Sequence, residues 1–167
     1  QYLDSLEMTA TIKGFEPLYI QRIAQLTNKS NQFNLTTLRC SEDDIRAMAG
    51  DKNDLCLCGK LVDKFGDNGI VTVVAGRQQG DVLDLTLWLM SCRVLKRGME
   101  DAMMDTVVAE AAARGVKTIV GHYYPTAKNA MVREFYAQYN FAKTAEDADG
   151  NTEWTLDVAA YTPKHPH

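Results

Sequence analysis

An α/β fold around a mixed sheet is what this sequence predicts, and three observations carry it. Strand-like and helix-like segments alternate from one end of the chain to the other, with no linker or internal repeat between them. In the middle of the chain the strand-like runs follow one another across short turns, the pattern of antiparallel pairing. In the second half each run is separated from the next by a helical stretch, the pattern of a βαβ unit. The predicted order is β-α-α-β-β-β-α-β-α-β.

Met8 to Lys13 alternates apolar and polar residues and reads as the first strand. Pro17 sits where a first helical turn tolerates it, and Leu18, Ile20, Ile23, Ala24 and Leu26 give that helix its apolar stripe. Residues 31–37, rich in amides and hydroxyls, read as a loop. Ser41 is an N-cap, with Asp44 at the third helical position and acids near the positive helix end. Leu55 to Val62 and Ile70 to Arg77 are strands joined by residues 63–69, whose Asn68-Gly69 pair signals a hairpin. Val82 to Cys92 is the longest strand, and counting by twos groups Cys92 with Asp84, Thr86, Trp88 and Met90. Met99 to Arg114 is a helix in which Met99, Met103 and Met104 fill core, and Gly115 stops it. Val116 to Val120 is a buried strand, Thr126 to Tyr139 a helix, and Thr152 to Val158 the last strand.

The 167 residues are 46% hydrophobic and 24% charged, enough for one domain over residues 1–160 with a short tail, 161–167. A net charge of −4 argues against a general nucleic-acid or membrane-surface partner, and no apolar run approaches the ~18 residues of a membrane helix. No secretory leader is visible and the four cysteines make no zinc pattern, since Cys56-Leu57-Cys58 is a C-x-C without a second pair. Free thiols in a reducing, cytoplasmic compartment and no bound metal are expected. The chain begins at Gln1, which reads as a piece of something longer.

Chemistry concentrates in two stretches. Residues 91–100 leave a strand, carry Arg93, Lys96 and Arg97, and pass through Gly98 into a helix, a junction that offers backbone N–H groups to a phosphate. An ordinary strand-to-helix turn with solvated cations reads equally well. Residues 123–141 place Asn129 early on a helix and Tyr136 two turns later on nearly the same face. A tyrosine there can give a proton to a leaving group, or serve as a core aromatic. Cys92, beside Arg93 and a helix start, is a candidate thioester nucleophile or a small buried hydrophobe. His122, ending a strand, is a candidate general base.

Together these stretches resemble the GNAT superfamily of acyl-CoA-dependent acyltransferases, whose fold is a mixed central sheet flanked by helices. Gly98 matches the middle glycine of that superfamily's R/Q-x-x-G-x-G/A loop, while Leu95 and Glu100 depart from it. The resemblance implies that Arg93, Val94, Lys96, Arg97, Gly98 and Met99 cradle the pyrophosphate of coenzyme A, that Asn129 contacts the pantetheine, and that Tyr136 protonates the departing thiolate. Glu100 complicates this, because a carboxylate ~4 Å from a phosphate charge costs on the order of 4 kcal/mol at an effective dielectric of ~20.

A narrower resemblance runs through residues 31–37, 65–69, 91–94 and 125–130, four blocks similar to the C-terminal GNAT-like half of FkbH-like proteins. It implies an acyltransferase domain handling a glyceryl thioester on the phosphopantetheine of coenzyme A or of an acyl carrier protein, in polyketide extender-unit biosynthesis. It also implies an N-terminal HAD-like phosphatase half, whose D-x-D-x-T motif is not in this sequence. In this reading Gln32, Asn34 and Thr36 bind the hydroxylated acyl group. The alternatives are an acetyl-CoA-dependent N-acetyltransferase and a non-catalytic carrier-protein docking domain.

Overall fold

The protein is described by a computed structural model over residues 2–3, 8–63, 66–91 and 98–164. Eight strands form one sheet in the order β1-β2-β3-β4-β5-β6-β8-β7. They are β1 Tyr2–Leu3, β2 Met8–Lys13, β3 Asp54–Asp63, β4 Gly66–Gln79, β5 Val82–Met90, β6 Thr118–Tyr123, β7 Ala142–Glu146 and β8 Thr152–Asp157. Every pairing is antiparallel except β5 with β6, which run parallel. The mixed sheet flanked by helices is the predicted fold class.

Helices α1 (Ile20–Lys29) and α2 (Glu42–Gly50) cover one face, where Ile23, Leu26 and Ile45 pack on Val73, Leu87 and Leu89. Helix α3 (Met99–Ala113) covers the other, where Met99, Met103 and Val107 pack with Leu83, Leu85 and Trp88. The Ser41 cap forms in full: its hydroxyl accepts from the Asp44 N–H, and the Asp44 carboxylate accepts from the Ser41 N–H. No helix among the described residues is long and apolar enough to cross a membrane.

Four expectations are corrected. Leu18 lies in a 3-10 turn, Pro17–Tyr19, ahead of α1 and is 82% exposed, so it is not part of the apolar stripe. The strand predicted over 116–120 lies over Thr118–Tyr123, and a further strand, β7, follows residue 141. The helix predicted over 126–139 is replaced by two 3-10 turns, Ala130–Val132 and Tyr136–Tyr139. The buried side chains there, Asn129, Val132 and Phe135, then Tyr136 and Tyr139, recur every three residues, the period of the tighter helix.

The fourth correction concerns β5, which at 9 residues is not the longest strand, since β4 has 14 and β3 has 10. Ala75 pairs with Leu87 and Gly76 with Leu85, so Thr86 is an extra residue in a bulge. The bulge reverses the alternation: Leu83 and Leu85 join the α3 core, whereas Leu87 and Leu89 join the α1 core. Asp84 therefore does not share a face with Trp88 and Met90, and the grouping by twos fails at Thr86.

Candidate active site where two parallel strands part

Strands β5 and β6 are in register over three pairs only, Val82↔Thr118, Leu83↔Ile119 and Asp84↔Val120. Beyond Asp84 they separate, β6 continuing on β8 and β5 continuing to Met90. The two polar side chains at the point of parting meet: His122 Nε2 lies 2.5 Å from Asp84 Oδ1. A carboxylate accepts, so the contact assigns the Nε2 proton to the imidazole, and the neutral ring with that tautomer carries its lone pair on Nδ1. The pair is open to solvent, the Asp84 side chain 49% exposed and that of His122 18%. Glu153 pairs with His122 across β8, and the Tyr124 ring lies 5.9 Å from the imidazole. Burial, with the Asp84 and Glu153 charges adding to it, raises the Tyr124 phenol above its ordinary value.

The space between the parted strands is filled by the chain itself. Leu35 N–H donates to Trp88 O at 3.0 Å and Met90 N–H donates to Phe33 O at 3.0 Å, an antiparallel bridge centred on Asn34 and Leu89. The Thr36 hydroxyl donates to Thr86 O at 2.8 Å, and Tyr124 N–H donates to Leu35 O at 2.9 Å. Segment 33–36 thus hydrogen-bonds to β5 on one side and to the residue after β6 on the other. The alternation Phe33-Asn34-Leu35-Thr36 was the signal for this, and the amides around it concealed it.

Asn129 locks that segment. Its Oδ1 accepts from Thr126 N–H at 2.8 Å and from the Tyr123 hydroxyl at 3.3 Å; its Nδ2 donates to Asn34 O at 2.9 Å and Tyr124 O at 3.0 Å. All four hydrogen bonds open to a carboxamide are made, and the residue is fully buried. Asn34 is likewise buried, its Nδ2 donating to Ser30 O and its Oδ1 accepting from Thr37 N–H. Tyr136 lies flat on β6: a Cβ on Gly121 would fall 2.4 Å from the Tyr136 ring. Burial, with the Asp84 charge adding to it, pushes the Tyr136 phenol well above its ordinary value.

At the start of α3, Gly98 adopts a left-handed conformation (φ 84°), and its N–H donates to the Glu100 carboxylate at 3.1 Å. Met99 is fully buried in the core. Of the other residues singled out in the sequence, Gln32 is exposed, whereas Cys92, Arg93, Val94, Lys96 and Arg97 lie outside the described residues. Met90, the last residue of β5, stands six strand residues from Asp84, roughly 20 Å away. The structure brings His122 together with Asp84, which no local pattern marked; its one signal was a charge inside the apolar run Leu83 to Met90. Among the described residues no group of His, Cys, Asp or Glu is arranged to hold a metal ion.

Among the described residues, the groups that the resemblance assigns to the arm of coenzyme A are already bonded within the chain. The edge of β5 that an extended arm would pair with is bonded to residues 33 and 35. The Gly98 N–H faces a carboxylate, and Asn129 has no hydrogen bond left to give.

Many solved structures are similar to this chain, and three illustrate them. The ribosomal-protein-S18-alanine N-acetyltransferase from Escherichia coli matches with a TM-score of 0.68 and 14% identity, over 95% of this chain and 100% of that one. A putative acetyltransferase of the GNAT family from Desulfovibrio desulfuricans gives 0.70 and 12%, over 90% and 99%. The spermidine N-acetyltransferase from Vibrio cholerae, solved with CoA and spermine, gives 0.66 and 9%, over 90% and 96%. No protein-family model matches the sequence, and no curated protein does. With its strand order, its parted parallel pair and its helices on both faces, the chain has the fold of the GNAT acetyltransferases.

Proposed function

We propose that this domain is an acyltransferase acting on a small hydroxylated acyl group such as glyceryl, as its FkbH-like sequence blocks imply, with an acyl carrier protein as its partner. The observation that supports acyl transfer is the Asp84–His122 contact at the parting of β5 and β6. Asp84 fixes the ring and the tautomer and stabilises the imidazolium that forms. Nδ1 takes the proton of the acceptor as the acceptor attacks the acyl carbonyl. The same proton is then returned to the departing group as the old acyl bond breaks. The reaction takes place at the exposed mouth, and no step passes through the filled space between the strands. The closed slot bears alike on the arm of coenzyme A and on the same arm carried by a carrier protein, so an acetyl-CoA-dependent N-acetyltransferase acting at the same mouth is the alternative reading.

Mass spectrometry of acyl transfer to a phosphopantetheinylated carrier protein, using the full-length protein with any phosphatase half, tests the proposal. His122→Gln is expected to lower the rate on the order of 10²-fold or more, and Asp84→Asn by less. Cys92→Ala, followed by intact mass for an acylated enzyme, tests the thioester role of that residue. Transfer unchanged in His122→Gln overturns the base. A non-catalytic docking domain is the second reading, favoured by the buried Tyr136 and the fully bonded Asn129. It requires carrier binding that survives in every one of these variants.

A further inference from the structure

The loops that close the slot build a cavity on their outer side. It has a volume of about 340 Å³ and is lined by Asn31, Thr37, Arg39, Thr126, Ala127 and Lys128. Two cations and no acid line it, in a protein of net charge −4. Among the described residues neither Arg39 nor Lys128 is in an ion pair.

Arg39 is fixed in place without being neutralised. Its Nη1 donates to Thr27 O and, at 2.9 Å, to Ser30 O, and its Nη2 donates to Asn31 Oδ1 at 2.8 Å. Of the five N–H donors of a guanidinium, two have no partner among the described residues. Thr37 forms the neighbouring wall in the left-handed region (φ 55°), a strained conformation for a β-branched residue. It is held there by its N–H bond to the buried Asn34 carboxamide, 2.9 Å. On the opposite wall the Thr126 hydroxyl accepts from Lys128 N–H at 3.1 Å and Asn129 N–H at 3.2 Å, fixing the turn that carries Lys128.

We propose that this cavity binds an oxyanion, the phosphate or carboxylate of a small polar ligand, with Arg39 and Lys128 supplying the charge. Thr37, Thr126 and Asn31 supply hydrogen bonds to hydroxyl groups beside it. The proposal rests on the acyl-transfer reading in one respect, the direction of the ligand. Thr36, next in the chain to Thr37, is bonded to Thr86, two residues from Asp84, and the ring of Tyr124, two residues before Thr126, lies 5.9 Å from that of His122, so the segments that carry the cavity lead on to the dyad. In that reading an anion held in the cavity directs the rest of the ligand along these segments toward His122.

Calorimetric titration of the full chain at low ionic strength with inorganic phosphate, with glycerate and with phosphopantetheine tests this. Saturable binding is expected for at least one of the three, and the one that binds tells a free phosphate from a carboxylate or from the phosphate of a carrier arm. Lys128→Gln and Arg39→Lys are each expected to weaken it on the order of tenfold. Lys143→Gln, whose ammonium pairs with Glu146 on β7, leaves it unchanged. No saturable heat with any of the three, or unchanged affinity in the folded Lys128→Gln protein, overturns the proposal. Binding is read without turnover, so its failure is distinct from a failure of the His122 variants to slow transfer.

Discussion

Asn129 and Gly121 hold the centre of this molecule through opposite means, one by making every bond it has and the other by having no side chain. Replacing Asn129 with Ala leaves the buried Asn34 carbonyl and the part-buried Tyr124 carbonyl without their donor, an expected loss of about 3 kcal/mol in urea unfolding. Gly121→Ala drives a methyl into the Tyr136 ring, expected to cost about 1–3 kcal/mol. Combining it with Tyr136→Leu is expected to recover part of that loss, and a cycle showing strict additivity contradicts the contact. Trp88 Nε1 is the one buried side-chain nitrogen or oxygen without a partner among the described residues. Trp88→Phe is therefore expected to stay within about 1 kcal/mol of the parent, the lost packing offset by removal of an unpaired N–H. At this scale the sequence was a partial guide. Tyr136 as a core aromatic and His122 at a strand end were both legible, because burial and strand position follow from pattern. Asp84 was not, since its partner lies 38 residues away on a strand whose register no local rule supplies.

Among the elements, segment 33–36 decides what can reach the edge of β5. It is bonded to β5 through Thr86, Trp88 and Met90 and to Tyr124, so an incoming arm has to break backbone bonds before making any of its own. Millimolar coenzyme A is expected to leave the melting temperature unchanged, and the amides of Leu35, Met90 and Tyr124 are expected to exchange slowly with or without it. A clear thermal shift, with those amides deprotected, contradicts the closed slot. Glu100→Ala frees the Gly98 N–H but not the β5 edge, so it is not expected to restore binding. The central strands, the Ser41 cap and α3 were predictable because periodicity and capping are local. The bulge at Thr86 and the 3-10 turns after Asn129 were not, because each is imposed by partners distant in the chain.

The whole molecule has a pH limit set by its thiols. Burial pushes Cys56 up to about 12 and Cys58 up to about 11, from an ordinary value of 9.0, with nearby carboxylates adding to both. Both thiols are neutral in the fold up to those values, whereas the unfolded chain begins to release their protons near 9. Stability owed to them is therefore complete below about 9 and declines as pH rises toward 11 and 12. Urea midpoints are expected to be insensitive to these thiols from neutrality to about 9 and to fall above it, and Cys56→Ser with Cys58→Ala is expected to flatten that fall. The mixed sheet flanked by helices was legible at this scale, since alternating elements admit few topologies, whereas β1 and β7 and the antiparallel return of β8 between β6 and β7 were not.

The bridge between residues 33–36 and the parted strands also bears on the timing of synthesis. Thr36 meets Thr86 fifty residues later in the chain, and Asn34 meets Asn129 ninety-five residues later. At roughly 5–20 residues per second on the ribosome, this alternating strand-forming tetrapeptide, with Phe33 and Leu35 as its apolar members, waits several seconds for its partners on β5 and longer for Asn129. Through that interval its backbone is open to chaperones and to neighbouring nascent chains. The polar residues that flank it, Asn31, Gln32 and Thr37, are placed to keep it soluble while it waits.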